Sequence, residues 1–156
     1  MSDNLLVIAI DPGVNGGIAW KWEGKVVAIK MPPTTIDCVE LLRKLSKTSR
    51  WVELYLEEPP LFAGKAIPGS AIGKLMFNTG ILAGAAYALK FKVKLVRPTV
   101  WMKTHTFGNK GELTRTAWKN KLKDEAASIY PDGVPVTLWS ADALLILDSA
   151  LKGKLI

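Results

Sequence analysis

The stretch Leu5 to Trp22, LLVIAIDPGVNGGIAWKW, constrains the fold more than any other part of the chain. Leu5 to Ile10 is an unbroken apolar run of strand length, which reads as a strand buried on both faces of a parallel or mixed sheet. The run delivers one carboxylate, Asp11, and then breaks at Pro12-Gly13 and Gly16-Gly17 before a second apolar run begins. Turns of this composition can hold a carboxylate at the rim of a sheet, half out of the core. Asp-Pro-Gly is equally ordinary turn chemistry, so position alone leaves Asp11 balanced between turn former and functional acid.

With 156 residues, a single domain spanning 1–156 is expected, with chain enough for a proper core. The one cysteine, Cys38, excludes an intramolecular disulfide and a multi-cysteine zinc site, and reads as a helix core residue. A reducing, cytoplasmic setting fits this, and the first residues lack the basic and small-residue pattern of a signal peptide. The longest apolar stretch, Leu75 to Leu89, contains Asn78 and Thr79 and falls short of the roughly 20 residues a membrane span needs. No membrane partner is expected.

Charge is unevenly placed. Of the net +7, the segment from Lys90 to Lys123 holds ten basic residues and one acid, Glu112, so the rest of the chain is slightly acidic. Localised positive charge is the footprint of a polyanion partner. The same segment carries Trp101, His105, Phe107 and Trp118, more aromatic surface than a solubilising face needs, which favours nucleic acid.

Along the chain, Ile18 to Trp22 and Lys25 to Lys30 flank Glu23-Gly24 and read as a hairpin, giving a three-strand meander. Thr34 or Thr35 caps a helix whose apolar positions are Ile36, Val39, Leu42 and Leu45. Trp51 to Glu57 reads as a fourth strand that again hands an acid to a break, Glu57-Glu58-Pro59-Pro60. A helix from Ala71 to about Leu89 carries Gly80 and Gly84 one turn apart, which suggests close approach to a sheet or helix. Lys92 to Val96 is a fifth strand, and within Thr99 to Gly111 the lone His105 has no ligand partner at metal spacing and reads as an ordinary loop histidine or as a surface residue near DNA. From about Leu113 to Tyr130 a basic helix places Arg115, Lys119 and Lys123 in a row suited to phosphates. The last helix starts near Ser140, a good N-cap, and is largely apolar, so Asp142 is an acid in the first turn of a core-facing helix. Asp148, six residues on, faces elsewhere.

Asp11, Glu57 and Asp142 thus share a situation: strand end, strand end, and start of a buried helix. Three carboxylates without a His or Cys cluster favour a hard ion such as Mg²⁺, with Mn²⁺ as a substitute. Beside a basic aromatic surface, a pair of such ions suggests phosphodiester hydrolysis, one lowering the pKa of an attacking water and the other stabilising the leaving oxygen.

IAIDPGVNGG, LYLEEPP and SADALLILDSA, with GSAIGKLMFNTGILAGAAYAL and VRPTVWMK between them, resemble the motifs of RuvC-type Holliday-junction resolvases, in particular the short phage-type relatives. The resemblance covers nearly the whole chain. It implies the ribonuclease H-like fold, an α/β architecture with a five-stranded mixed sheet flanked by helices. It further implies a Mg²⁺-dependent homodimer that nicks four-way DNA junctions, with Asp11, Glu57 and Asp142 as the catalytic and metal-holding acids. Phe62 lies close to, though not aligned with, the place of an aromatic that wedges into the junction. Lys103, Lys110, Arg115 and Lys119 are the residues expected on phosphates. Trp139 stands where family members carry another acid or a histidine.

Two other readings follow from the same residues. Trp139 motivates a junction-binding protein with weak or no nuclease activity. The Asp-Gly turn after the first strand is shared with ATP-binding relatives of actin and the sugar kinases, but the chain is short for two such lobes.

Overall fold

The computed structural model describes residues 4–60 and 67–155. Five strands, β1 (Leu5–Ile10), β2 (Gly17–Trp22), β3 (Lys25–Lys30), β4 (Trp51–Glu57) and β5 (Lys92–Val96), form one sheet in the order β3-β2-β1-β4-β5. The meander β1-β2-β3 is antiparallel, whereas β4 and β5 run parallel to β1. The hairpin between β2 and β3 turns through Glu23 and Gly24, both with positive φ (45° and 78°), the geometry that matches strand twist in a two-residue loop.

Because β1 lies in the middle of the sheet, both its faces are covered. Leu6, Ile8 and Ile10 face α1 (Thr35–Leu45) and α2 (Gly69–Ala88), packing with Cys38, Leu42, Leu82 and Ala86. Val7 and Ala9 face α3 (Pro98–Met102), α4 (Arg115–Ile129) and α5 (Ala141–Leu151). On that second face Ala9, Ala19 and Ala28 lie side by side across three strands. Their small side chains let α5, buried along ten consecutive residues from Ala141 to Ala150, sit close to the sheet.

Several expectations hold locally. Thr34 caps α1, its hydroxyl accepting from the Asp37 backbone N–H at 3.1 Å. Others are corrected. Ser140 does occupy the N-cap position of α5, but without a side-chain capping bond: its hydroxyl donates to the Pro135 carbonyl at 2.7 Å, and a preceding turn at Thr137 leads into the helix. Gly80 and Gly84 do not serve close packing among the described residues, since a Cβ at either would meet none of them within 4 Å. The segment after Pro98 is a short helix, α3, where proline sits at the helix start. Trp101 is fully buried, with Phe107 and Trp118 at 5% and 8% exposure, so these rings are core and not a nucleic-acid surface. Among the described residues no helix is long and apolar enough to cross a membrane.

Candidate metal centre

Strand register and parity bring the first two acids together. Ile10 pairs with Leu56 across the parallel β1–β4 ladder, so the next residues, Asp11 and Glu57, are neighbours at the strand ends. Side chains alternate along a strand. As Ile10 and Leu56 face α1 and α2, Asp11 and Glu57 are on the α5 side.

Glycines then fix the third. A Cβ on Gly17 would stand 2.5 Å from the Trp139 carbonyl oxygen and 2.7 Å from that of Ile29. Only a bare backbone at the start of β2 therefore lets the chain entering α5 pass this close, and that approach sets Asp142 beside the strand ends. Gly16 is under the same constraint: its Cβ would meet the Asp11 carbonyl oxygen at 2.2 Å and Asp11 Cγ at 2.7 Å. The loop is closed by Asp11 N–H donating to Gly17 O at 3.0 Å and Gly16 N–H to Gly13 O at 2.8 Å.

Each carboxylate has one oxygen held by the chain itself. The Gly13 backbone N–H donates to Asp11 Oδ1 at 3.2 Å, the Trp101 indole N–H to Glu57 Oε2 at 2.7 Å, and Lys119 Nζ to Asp142 Oδ2 at 2.5 Å. Asp142 is 5% exposed, and its Oδ1 is buried without a hydrogen-bond partner among the described residues.

The three acids feel one another. Glu57 is pushed up to about 8, first by burial and then by the charges of Asp11 and Asp142, with the Trp101 bond and Lys119 opposing. Asp11 is raised to about 6, again by burial first and the Asp142 charge second. Lys119 is held above its ordinary value because the attraction of Asp142, Asp11 and Glu57 outweighs its desolvation. Convergent acids raised in this way mark a functional site more often than a structural one.

The donor set fits a divalent hard cation: all-oxygen ligands, mutual repulsion that a cation relieves, and a buried orphan oxygen on Asp142. As the side chains stand, however, no group of three His, Cys, Asp or Glu among the described residues is arranged to hold an ion. The Lys119 ammonium is already engaged with Asp142.

Other sequence-derived residues fall elsewhere. Lys103, Lys110 and Arg115 are exposed, and the two lysines line one hollow of about 450 Å³ beside Asn109 and Trp118. Lys119 turns inward, away from the exposed row expected of it. Phe62 lies outside the described residues. Glu58 pairs with Arg97 at 3.3 Å, and Asp148 with Lys152 at 2.8 Å. His105 is buried against α5, its Nε2 3.1 Å from the Leu145 carbonyl oxygen. Sequence reasoning missed two partners, Trp101 for Glu57 and Lys119 for Asp142. The only signal for Trp101 was an indole just after a helix-starting proline, at the end of the strand beside β4.

No protein-family model matches the chain, and no curated protein matches it significantly in sequence. Solved structures do match. A Thermus thermophilus RuvC structure aligns with a TM-score of 0.56 at 20% identity, over 96% of this chain and 97% of that one. T. thermophilus RuvC in complex with a Holliday junction substrate aligns with a TM-score of 0.57 at 17% identity, with the same coverage. The chain therefore has the ribonuclease H-like fold of RuvC over nearly its full length.

Proposed function

We propose that this protein is a divalent-metal-dependent endonuclease acting on branched DNA, four-way junctions above all, in the cytoplasm. The observation that carries the reading is the meeting of Asp11, Glu57 and Asp142 on one face of the sheet, in a fold shared with a junction-bound RuvC. Mg²⁺, or Mn²⁺ in its place, would be held by these three acids and would activate water and neutralise charge developing on a phosphodiester. The chain's own residues prepare that chemistry. Gly13 and Trp101 orient Asp11 and Glu57, and buried Asp142 fixes one wall. Lys119 sets a positive charge against Asp142, at the edge of the carboxylates.

DNA would approach over the exposed cations Lys103, Lys110 and Arg115, with Phe62 near the branch point. Phosphate contacts of this kind position a duplex without reading sequence, so selectivity would rest on the shape of the branch. A homodimer supplies two cutting sites. Its support is the outer face of α2, where Gly73, Met76, Phe77, Gly80, Gly84 and Tyr87 form a stripe at helical spacing, with Phe77 70% and Tyr87 58% exposed. A helix apolar on all sides calls for cover, and the bare glycines would admit a second helix closely.

The test is cleavage of a synthetic four-way junction in Mg²⁺. Symmetric nicks are expected from wild type and none from Asp11→Asn; equal cutting by both, or by neither, removes the nuclease reading. That no group of three ligands stands preassembled among the described residues favours the second reading, a junction binder with weak or no nuclease activity. Tight junction binding without nicks in either Mg²⁺ or Mn²⁺ would select it.

A further inference from the structure

We infer that Lys119 is a built-in counter-cation of the carboxylate centre, which makes it a site for one divalent ion per chain. The inference rests on the metal-dependent reading above and concerns how the same acids are balanced.

The three acids are not left to repel one another. One oxygen of each is tied to a donor of this chain, and only one of the three donors, Lys119, is a charge. Its ammonium lies against Asp142, so the one positive charge among the donors is fixed on the carboxylate centre itself. The lysine side chain is one-third exposed and the Asp142 side chain buried, so little water screens the pair. What remains open to an ion is Asp142 Oδ1, buried and without a hydrogen-bond partner among the described residues.

A second ion would draw on further carboxylates of the chain, and the two further candidate acids are engaged elsewhere. Glu58 is occupied by Arg97 and Asp148 by Lys152. One turn before Asp142, on the chain that enters α5, position 139 carries an indole. Charge balance agrees: three carboxylates are neutralised by one ammonium and one divalent ion, whereas two ions beside Lys119 would leave the centre positive. Lys119 lies on α4, between buried Trp118 and Leu122, so the position of its stem is set by core packing.

The experiment is Mn²⁺ titration of the full chain, alone and with an uncleavable phosphorothioate junction, followed by the EPR signal of free Mn²⁺. Wild type is expected to take one ion per chain. Lys119→Met, its folding checked by circular dichroism, should bind the first ion at least about tenfold tighter, or admit a second, because a nearby positive charge is gone. Lys119→Arg should behave as wild type. Two ions on wild type would overturn the inference while leaving the nuclease reading intact. No ion on wild type, with or without junction, would overturn both. Identical Mn²⁺ binding by wild type and Lys119→Met would also refute it, and if the Met variant does not fold, Lys119→Gln supplies the same comparison.

Discussion

The indole N–H of Trp101 donates to Glu57 Oε2 at 2.7 Å, joining the fully buried ring of α3 to the carboxylate that ends β4. This one bond makes part of the core a support for the site. Trp101→Phe keeps an aromatic ring but leaves a desolvated carboxylate oxygen without its donor. Leaving a desolvated acceptor without its donor costs about 1–3 kcal/mol. The variant is expected to unfold at lower urea by that amount and to cut junctions at least tenfold more slowly. A Trp101→Phe protein with wild-type stability and rate would show that the bond matters to neither.

The pH dependence of the metal-free protein has a definite sign. Asp11 moves from 3.8 to about 6 and Glu57 from 4.5 to about 8, both raised by burial and by each other's neighbours. As pH rises through this window the unfolded chain gives up protons that the folded chain retains, so folding loses ground. The contribution of these two groups is fully favourable below their unfolded values and is lost by the time pH exceeds the raised ones. In EDTA, the melting temperature should therefore fall between about pH 5 and pH 8. Glu57→Gln should flatten the fall, and Mg²⁺ should reverse it with release of protons. Thermal scans across that range decide the matter, and a metal-free melting temperature that climbs with pH contradicts it.

Gly16→Ala tests the loop. Its Cβ would meet the Asp11 carbonyl oxygen at 2.2 Å, and a backbone atom cannot swing aside as a flexible side chain can. Overpacking of this sort costs about 1–3 kcal/mol, and displacing a catalytic group by about 1 Å can cost ~100-fold in rate. The expected result is a folded but less stable protein with nuclease activity reduced far more than junction affinity. Equal loss of both would place the damage in the fold as a whole.

Much of this arrangement was legible in the sequence because it depends on local patterns. The apolar run Leu5 to Ile10, the Glu23-Gly24 turn and the Thr34 cap each specify their own structure, and the parallel β1–β4 pairing makes neighbours of the acids that follow. What was not legible depends on parity and tertiary contact. Trp101, Phe107 and Trp118 sit among lysines in sequence, and nothing local says that the rings turn inward while Lys103 and Lys110 turn out. Lys119 falls in an even row with Arg115 and Lys123, yet α4 packs so that its ammonium reaches Asp142. Gly80 and Gly84 read as a packing signal, and among the described residues of one chain they pack against nothing.

That open face leads to the dimer prediction. Phe77→Glu introduces charge at the centre of the exposed α2 stripe without disturbing the core, since Phe77 is 70% exposed. Wild type is expected to elute as a dimer by light scattering and Phe77→Glu as a monomer of unchanged fold. With two sites no longer held together, the variant should release singly nicked junctions instead of paired cuts. A wild type that stays monomeric at working concentrations, with and without junction, would sink the dimer.

The salt dependence of junction binding separates the cations that meet DNA from the one that does not. Neutralising a duplex phosphate releases counterions, and each contact contributes about −0.9 to the slope of log affinity against log salt. Lys103, Lys110 and Arg115 are exposed and free to make such contacts, so replacing any one by Ala should flatten the slope by about that amount. Lys119 is committed to Asp142 at 2.5 Å and should behave differently. Lys119→Ala is expected to abolish cleavage while leaving the binding slope in EDTA unchanged, because the lost charge was balancing the protein's own carboxylate. Fluorescence anisotropy with a labelled junction over a range of salt concentrations measures all four slopes. A flattened slope for Lys119→Ala would put its ammonium on phosphate and free Asp142 of its partner.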